Sequence, residues 1–191
     1  MNNHSLLLGV IPLIVFVLVD TFSTLKWALI SAVVFALIET VYSFYAFGSL
    51  DWITGISFLL VGLMSYFAWK KDDEKIFMWQ PVIISWVFAV YILGVKLTGT
   101  DIFVEMVTKY KDLIPPDLQP RFQQPLMQRS LAILSWTSTI AFTLHGAVTL
   151  FSAYKLNKWW WLMARGVGFY LFMGAAVFLS QYMAVLELGG L

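Results

Sequence analysis

Six long stretches of the chain are almost continuously apolar, and shorter polar segments separate them. A helix needs about 20 mainly apolar residues to cross the roughly 30 Å hydrocarbon core of a membrane. Because the runs are continuous rather than alternating, they predict helices and not strands. The six stretches are residues 6–25, 27–47, 52–69, 82–97, 131–154 and 159–188. The expected fold is therefore all-α, a polytopic transmembrane bundle of about six spans that forms a single domain over residues 1–191.

The first of these stretches is the least regular, since Asp20 interrupts it. It lacks the features of a cleaved signal peptide, so we expect a retained helix that is either a full span or a short or re-entrant element. The fourth stretch follows Pro81, whose missing N–H is not needed at a helix start. Most tryptophans fall at segment ends, which is typical of the aromatic belt at headgroup level.

The connection at 98–130 is long, polar and rich in proline. Within it, five apolar residues share one helical face, and charged or hydroxyl residues occupy the other. The apolar face consists of Ile102, Phe103, Met106, Val107 and Tyr110. This pattern predicts a short amphipathic helix over 101–110 that lies in the membrane interface, and a helix that docks a partner protein is the alternative.

Composition supports the membrane interpretation and narrows the chemistry. The chain is 60% hydrophobic and only 12% charged, with a net charge of +1 and no cysteine, whereas soluble domains carry about 25% charged residues. Nucleic acid is not an expected partner. No cofactor and no metal site is expected, because two histidines are too few for a metal centre and no phosphate-binding or nucleophile motif occurs. Lysines and arginines on the two sides number six against five, which leaves the orientation undecided.

Four ionisable residues fall inside the apolar stretches, namely Asp20, Glu39, His145 and Arg165. Counted at about 1.5 Å per residue, Asp20, Arg165 and His145 lie ~8, ~9 and ~14 Å from the same membrane face, and Glu39 lies ~12 Å from the opposite face. The first three are therefore predicted to form one polar layer. An Asp20–Arg165 ion pair with a hydrogen-bonded His145 is one hypothesis, and a polar pathway, ligand pocket or catalytic group is another. Arg165 reaching the interface alone is a third.

An ordered series of short motifs resembles a known family. It comprises PLIVF at 12–16, EKIFMWQPVIISWVFA at 74–89, PLMQR at 125–129 and a tryptophan followed by Arg165 at 161–166. The series resembles the bacterial intracellular septation protein A family, which are inner membrane-spanning proteins of the cell envelope. The resemblance implies a multi-pass protein of the bacterial inner (plasma) membrane, with both termini and the 98–130 loop in the cytoplasm. It implies no catalytic residue.

Three functions are consistent with these observations. The first, which follows from the resemblance, is a non-enzymatic membrane protein that supports septation, cell-envelope integrity and membrane homeostasis. Its expected partners are the lipid bilayer and membrane proteins of division or elongation, and a homo-oligomer remains open. The alternative is a small-solute or ion transporter or channel that uses the intramembrane polar residues. The third is a lipid-modifying membrane enzyme.

Overall fold

A computed structural model of the protein describes residues 11–47, 52–110 and 114–189. The regular structure in this part of the chain is helical throughout, without a strand. Four helices in it are long and apolar enough to cross a membrane: Leu25–Tyr42, Glu74–Leu97, Pro125–Lys155 and Lys158–Gly189. The prediction of an all-helical protein with helices long and apolar enough to cross a membrane is confirmed. Four such helices occur among the described residues, so the expected six are not confirmed.

Most of the helices follow one another through connections of a few residues. In chain order they are α1 (Ile11–Phe22), α2 (Leu25–Phe47), α3 (Trp52–Lys71), α4 (Glu74–Met78), α5 (Gln80–Leu97), α6 (Ile102–Lys109), α7 (Gln119–Phe122), α8 (Pro125–Lys155), α9 (Lys158–Met163) and α10 (Phe169–Gly189). A π-helical turn, Ala164–Gly168, joins α9 to α10, so that one helix continues from Lys158 to Gly189.

Several helix ends differ from the sequence-based boundaries. Helix α8 begins at Pro125 and not at residue 131, so the polar connection is shorter than predicted. Proline is favoured at the first position of a helix, and the polar residues Gln128 and Arg129 continue the helix beyond its apolar part. Helix α1 is described from Ile11 only. Whether it is a full span therefore depends on residues outside the described part.

The chain forms two compact units. The first comprises residues 1–82 and 149–166, and the second comprises residues 83–148 and 167–191. Helices α5 and α8 each contribute one end to the first unit and the rest of their length to the second. The same holds for the continuous helix from Lys158 to Gly189.

The first unit packs around three aromatic rings. The Phe16 and Phe77 ring centroids are 4.3 Å apart, and the Trp161 ring meets Phe16 edge-on at 6.4 Å. All three side chains are fully buried. Ala28 and Ala32 of α2 complete this core, and such small residues allow helices to approach closely.

The second unit packs mainly through small side chains. Along α10 every fourth residue is buried, namely Ala176, Ser180 and Ala184. The hydroxyl of Ser180 lies 3.3 Å from that of Ser130 on α8. This spacing of small residues is typical of close helix packing in membranes. Phe88 and Phe142 stack at 5.4 Å and fill part of the remaining volume.

Candidate functional site

The most charged feature of the first unit is a cluster of three side chains. Asp20, in the last turn of α1, forms an ion pair with Lys158, whose ammonium also lies 2.6 Å from a carboxylate oxygen of Glu74. The Asp20 side chain is only 4% exposed. A carboxylate so deeply buried is costly unless it is paired and hydrogen-bonded, so Lys158 is what allows Asp20 to be buried. We call Asp20, Glu74 and Lys158 the charge cluster.

Two residues of the charge cluster are the first residues of helices. Glu74 is the first residue of α4, and the Asp73 side chain caps this helix by accepting a hydrogen bond from the Lys75 backbone N–H at 2.9 Å. Lys158 is the first residue of α9, where the side chain of Asn157 accepts from the Trp160 N–H at 3.0 Å. Aspartate and asparagine are preferred at this capping position, so both starts are encoded locally.

A cavity of about 290 Å³, lined by polar and apolar residues alike, adjoins the charge cluster. Besides Glu74 and Lys158, its polar lining includes Thr21, Tyr154 and Asn157. The Tyr154 hydroxyl accepts a hydrogen bond from the Trp79 indole N–H at 2.9 Å. The cluster therefore borders a cavity whose polar lining consists of hydroxyl, amide and charged groups.

Arg165 lies in the π-helical turn and makes a different set of contacts. Its guanidinium donates to the side-chain oxygen of Gln80 at 3.1 Å, and Gln80 is buried. The guanidinium carbon lies 5.9 Å from the centroid of the Trp161 ring, which is a cation–π arrangement. The Trp161 indole N–H in turn donates to the carbonyl of Met78 at 3.2 Å. Arg165 is thus held over the aromatic core of the first unit.

His145 lies in the second unit and is 3% exposed. Its Nδ1 and the hydroxyl of Ser85 are 2.8 Å apart and share a hydrogen bond. The rings of Phe169 and Phe172 meet the imidazole edge-on at 5.5 and 6.1 Å. One residue further along α8, Gly146 lies against the indole of Trp86, and an added Cβ would lie 2.4 Å from its Nε1.

The sequence predicts that Asp20, Arg165 and His145 form one polar layer, but each has a partner outside that set. The cation beside Asp20 is Lys158 and not Arg165, so the hypothesis of an Asp20–Arg165 ion pair is wrong. His145 has a hydroxyl partner, as one hypothesis held, and this partner is Ser85. The backbone of Glu39 lies in α2, but its side chain is outside the described part.

The short helix within the polar connection is α6. It begins after Asp101, whose carboxylate forms an ion pair with Lys96 at the end of α5. None of its residues is fully buried. Met106 and Tyr110, two members of the apolar face, are 49% and 47% exposed, whereas the other three (Ile102, Phe103 and Val107) are partly buried.

The chain matches no family model, no curated protein and no solved structure. The resemblance drawn from the motifs therefore stays a prediction. Among the described residues, no three His, Asp or Glu side chains lie together as a metal site would require.

Sequence reasoning missed Lys158, Glu74, Gln80 and Ser85 as partners of the buried polar groups. Lys158 could have been found, because it starts the last apolar stretch on the membrane side nearest to Asp20. Glu74 belongs to a charged run at 70–75 whose first four residues are exposed, yet its carboxylate reaches Lys158. Gln80 and Ser85 carried no recognisable signal, since single polar residues in apolar helices are common.

Proposed function

We propose that the protein is a non-enzymatic multi-pass protein of the bacterial inner membrane that supports septation and cell-envelope integrity by recruiting other membrane proteins. The observation that carries this proposal is α6, an amphipathic helix that buries none of its residues fully. A helix with an apolar face that its own chain leaves half-exposed is suited to lie on lipid or to dock a partner helix. The septation role in this proposal rests on the ordered motifs and the family that they resemble. The proposal also includes six membrane crossings and cytoplasmic termini.

The contacts of the buried polar groups favour this function over a transporter. Asp20 is paired with Lys158, Arg165 donates to Gln80, and His145 shares a hydrogen bond with Ser85. A transport pathway needs polar groups that can exchange partners with a solute or with water. Polar groups that have partners within the chain are instead typical of groups that hold helices together.

The proposal is tested in a bacterial strain that lacks its own septation protein A family member. The chain should restore cell length and resistance to osmotic shock. Replacing the exposed apolar residues of α6, as Met106→Ser with Tyr110→Ser, should abolish this rescue and the cross-linking of the chain to division or elongation proteins. The matched control changes the opposite face of the same helix, as Glu105→Ser with Thr108→Ser, and should retain both.

Membrane levels of each variant must be equal, since a variant that is degraded would also fail to rescue. Failure of the unmodified chain to restore cell length would contradict the septation function. Retained rescue and cross-linking by the Met106→Ser, Tyr110→Ser variant would contradict the role of α6.

A further inference from the structure

An open groove runs between α2 and α3 in the first unit, with a volume of about 300 Å³. Residues of α2 that recur at helical spacing form one wall, among them Leu29, Ile30 and Val33. Gly62 and Ser65 of α3 lie in the other wall. Because both helices run through apolar sequence along this length, the groove opens where hydrocarbon chains surround the protein.

One end of the groove carries a positive charge. Lys26 lies in the first turn of α2, and its ammonium is 5.7 Å from the centroid of the ring of Trp69, in the last turn of α3. Tryptophan and lysine at helix ends are typical of headgroup depth. No carboxylate of the described residues lies within ion-pair distance of Lys26, which is exposed. The charge at this end is therefore available to an external anion.

The wall of the groove also contains a buried hydroxyl. Ser65, one helical turn before Trp69, is 6% exposed, and its Oγ has no hydrogen-bond partner in the described part of the structure. An unsatisfied hydroxyl costs free energy unless a partner comes from outside the chain. Lys26 and Ser65 thus place one cation and one hydroxyl along an otherwise apolar groove.

We propose that this groove binds an anionic phospholipid, with one acyl chain between α2 and α3 and the lipid phosphate on Lys26. The apolar walls match an acyl chain, and the cation at the headgroup end matches a phosphate that carries net negative charge. A zwitterionic lipid would fill the same walls but would gain less from Lys26. The proposal is independent of septation, so a failure of the rescue experiment would leave it in place.

The test is native mass spectrometry of the full chain, released from nanodiscs that contain equal amounts of phosphatidylglycerol and phosphatidylcholine. The unmodified chain should retain phosphatidylglycerol preferentially. Lys26→Gln should lower the ratio of bound phosphatidylglycerol to phosphatidylcholine about fivefold, which corresponds to about 1 kcal/mol for one lysine at a membrane surface. The control is Lys155→Gln, an exposed lysine outside the groove, and it should leave the ratio unchanged.

A second pair of variants tests the groove itself. A Cβ added to Gly62 meets no atom within 4 Å, so a larger side chain can leave the helix there, and Gly62→Leu should occupy the groove and remove the bound lipid of either kind. Gly94 is equally open but lies outside the groove, so Gly94→Leu is the matched control and should retain the lipid.

Each alternative outcome overturns the proposal. An unchanged lipid ratio in Lys26→Gln would show that the groove does not select anionic lipid. Retention of phosphatidylglycerol by Gly62→Leu would show that the lipid binds elsewhere. A dimer without bound lipid, which Gly62→Leu dissociates, would show that the occupant is a second copy of the chain.

Discussion

The first unit brings full charges to some of its buried polar groups, beside buried hydroxyls such as Thr149 and Ser152, whereas the buried polar residues described in the second unit carry only hydroxyl and imidazole groups. In the first unit Lys158 lies between two carboxylates, and Arg165 donates to an amide. In the second unit, the Ser85 hydroxyl shares a hydrogen bond with His145, and the hydroxyl of Ser130 lies beside that of Ser180. The ion pairs of the second unit are more exposed than Asp20.

This difference has an energetic consequence. A buried ion pair gains little over an apolar pair of similar volume, but loss of one member leaves a charge without compensation. A hydrogen bond between buried hydroxyl groups adds only a modest amount to the free energy of unfolding, and its loss removes a similarly modest amount. Stability of the first unit should therefore depend on single residues, while that of the second should depend on how closely its helices approach. The following substitutions test that contrast, from the largest expected effect to the smallest.

Lys158→Leu should have the largest effect, a loss of about 2–3 kcal/mol in the free energy of unfolding, because it leaves Asp20 buried without its cation. The measurement is reversible unfolding in detergent micelles, followed by circular dichroism. Lys155→Leu, at an exposed position three residues earlier, should change stability little. The double variant Asp20→Leu, Lys158→Leu should recover most of the loss, since both charges are then absent. Equal stability of Lys158→Leu and the unmodified chain would contradict the role of the pair.

Gly146→Ala should destabilise the second unit by about 1–3 kcal/mol, the usual cost of overpacking. The added methyl group would lie 2.4 Å from the Trp86 Nε1, so the indole must move. The control is Gly94→Ala, where the added Cβ has open space and should be neutral or slightly stabilising. The same measurement in a Trp86→Leu background should show a much smaller cost. If the cost is unchanged in that background, contact with Trp86 is not its cause.

The Ser85–His145 hydrogen bond should have the smallest effect, a coupling of about 0.5–1.5 kcal/mol. The double-mutant cycle uses Ser85→Ala and His145→Ala, with unfolding free energies for all four proteins. Ser135→Ala is the matched control, since Ser135 is another buried hydroxyl of this unit and has no hydrogen-bond partner in the described part. It should not couple to His145. Equal coupling for the two serines would refute a specific hydrogen bond.

The charged residues show how far sequence reasoning reached. The depth estimate placed Asp20 and Arg165 at a similar level of the bundle, and both lie in the first unit. It could not select the partner, because Lys158 and Arg165 lie two turns apart on one continuous helix, and only the placement of the side chains decides which of them reaches Asp20. Lysine carries its charge on a flexible stem, so helix geometry alone does not locate its ammonium group.

The helix boundaries illustrate the same limit. The apolar run predicted a helix from residue 131, but α8 begins at Pro125 because proline at the first position and backbone hydrogen bonds extend it through polar residues. Hydropathy reports where a helix is apolar and not where its hydrogen bonds begin. The amphipathic pattern of the polar connection is more direct, since periodicity concerns the helix itself, and α6 covers Ile102–Lys109.

The sequence by itself determined the helical class, the membrane-spanning character of the long helices and the positions at which ionisable groups interrupt them. These properties follow from local composition and from the need to satisfy backbone hydrogen bonds within each segment. Tertiary structure alone decided which groups pair, that Gly146 must accommodate Trp86, and that α2 and α3 leave a groove ending at Lys26 and Trp69. Such contacts join residues distant in the chain, and they depend on side-chain directions that no local pattern encodes.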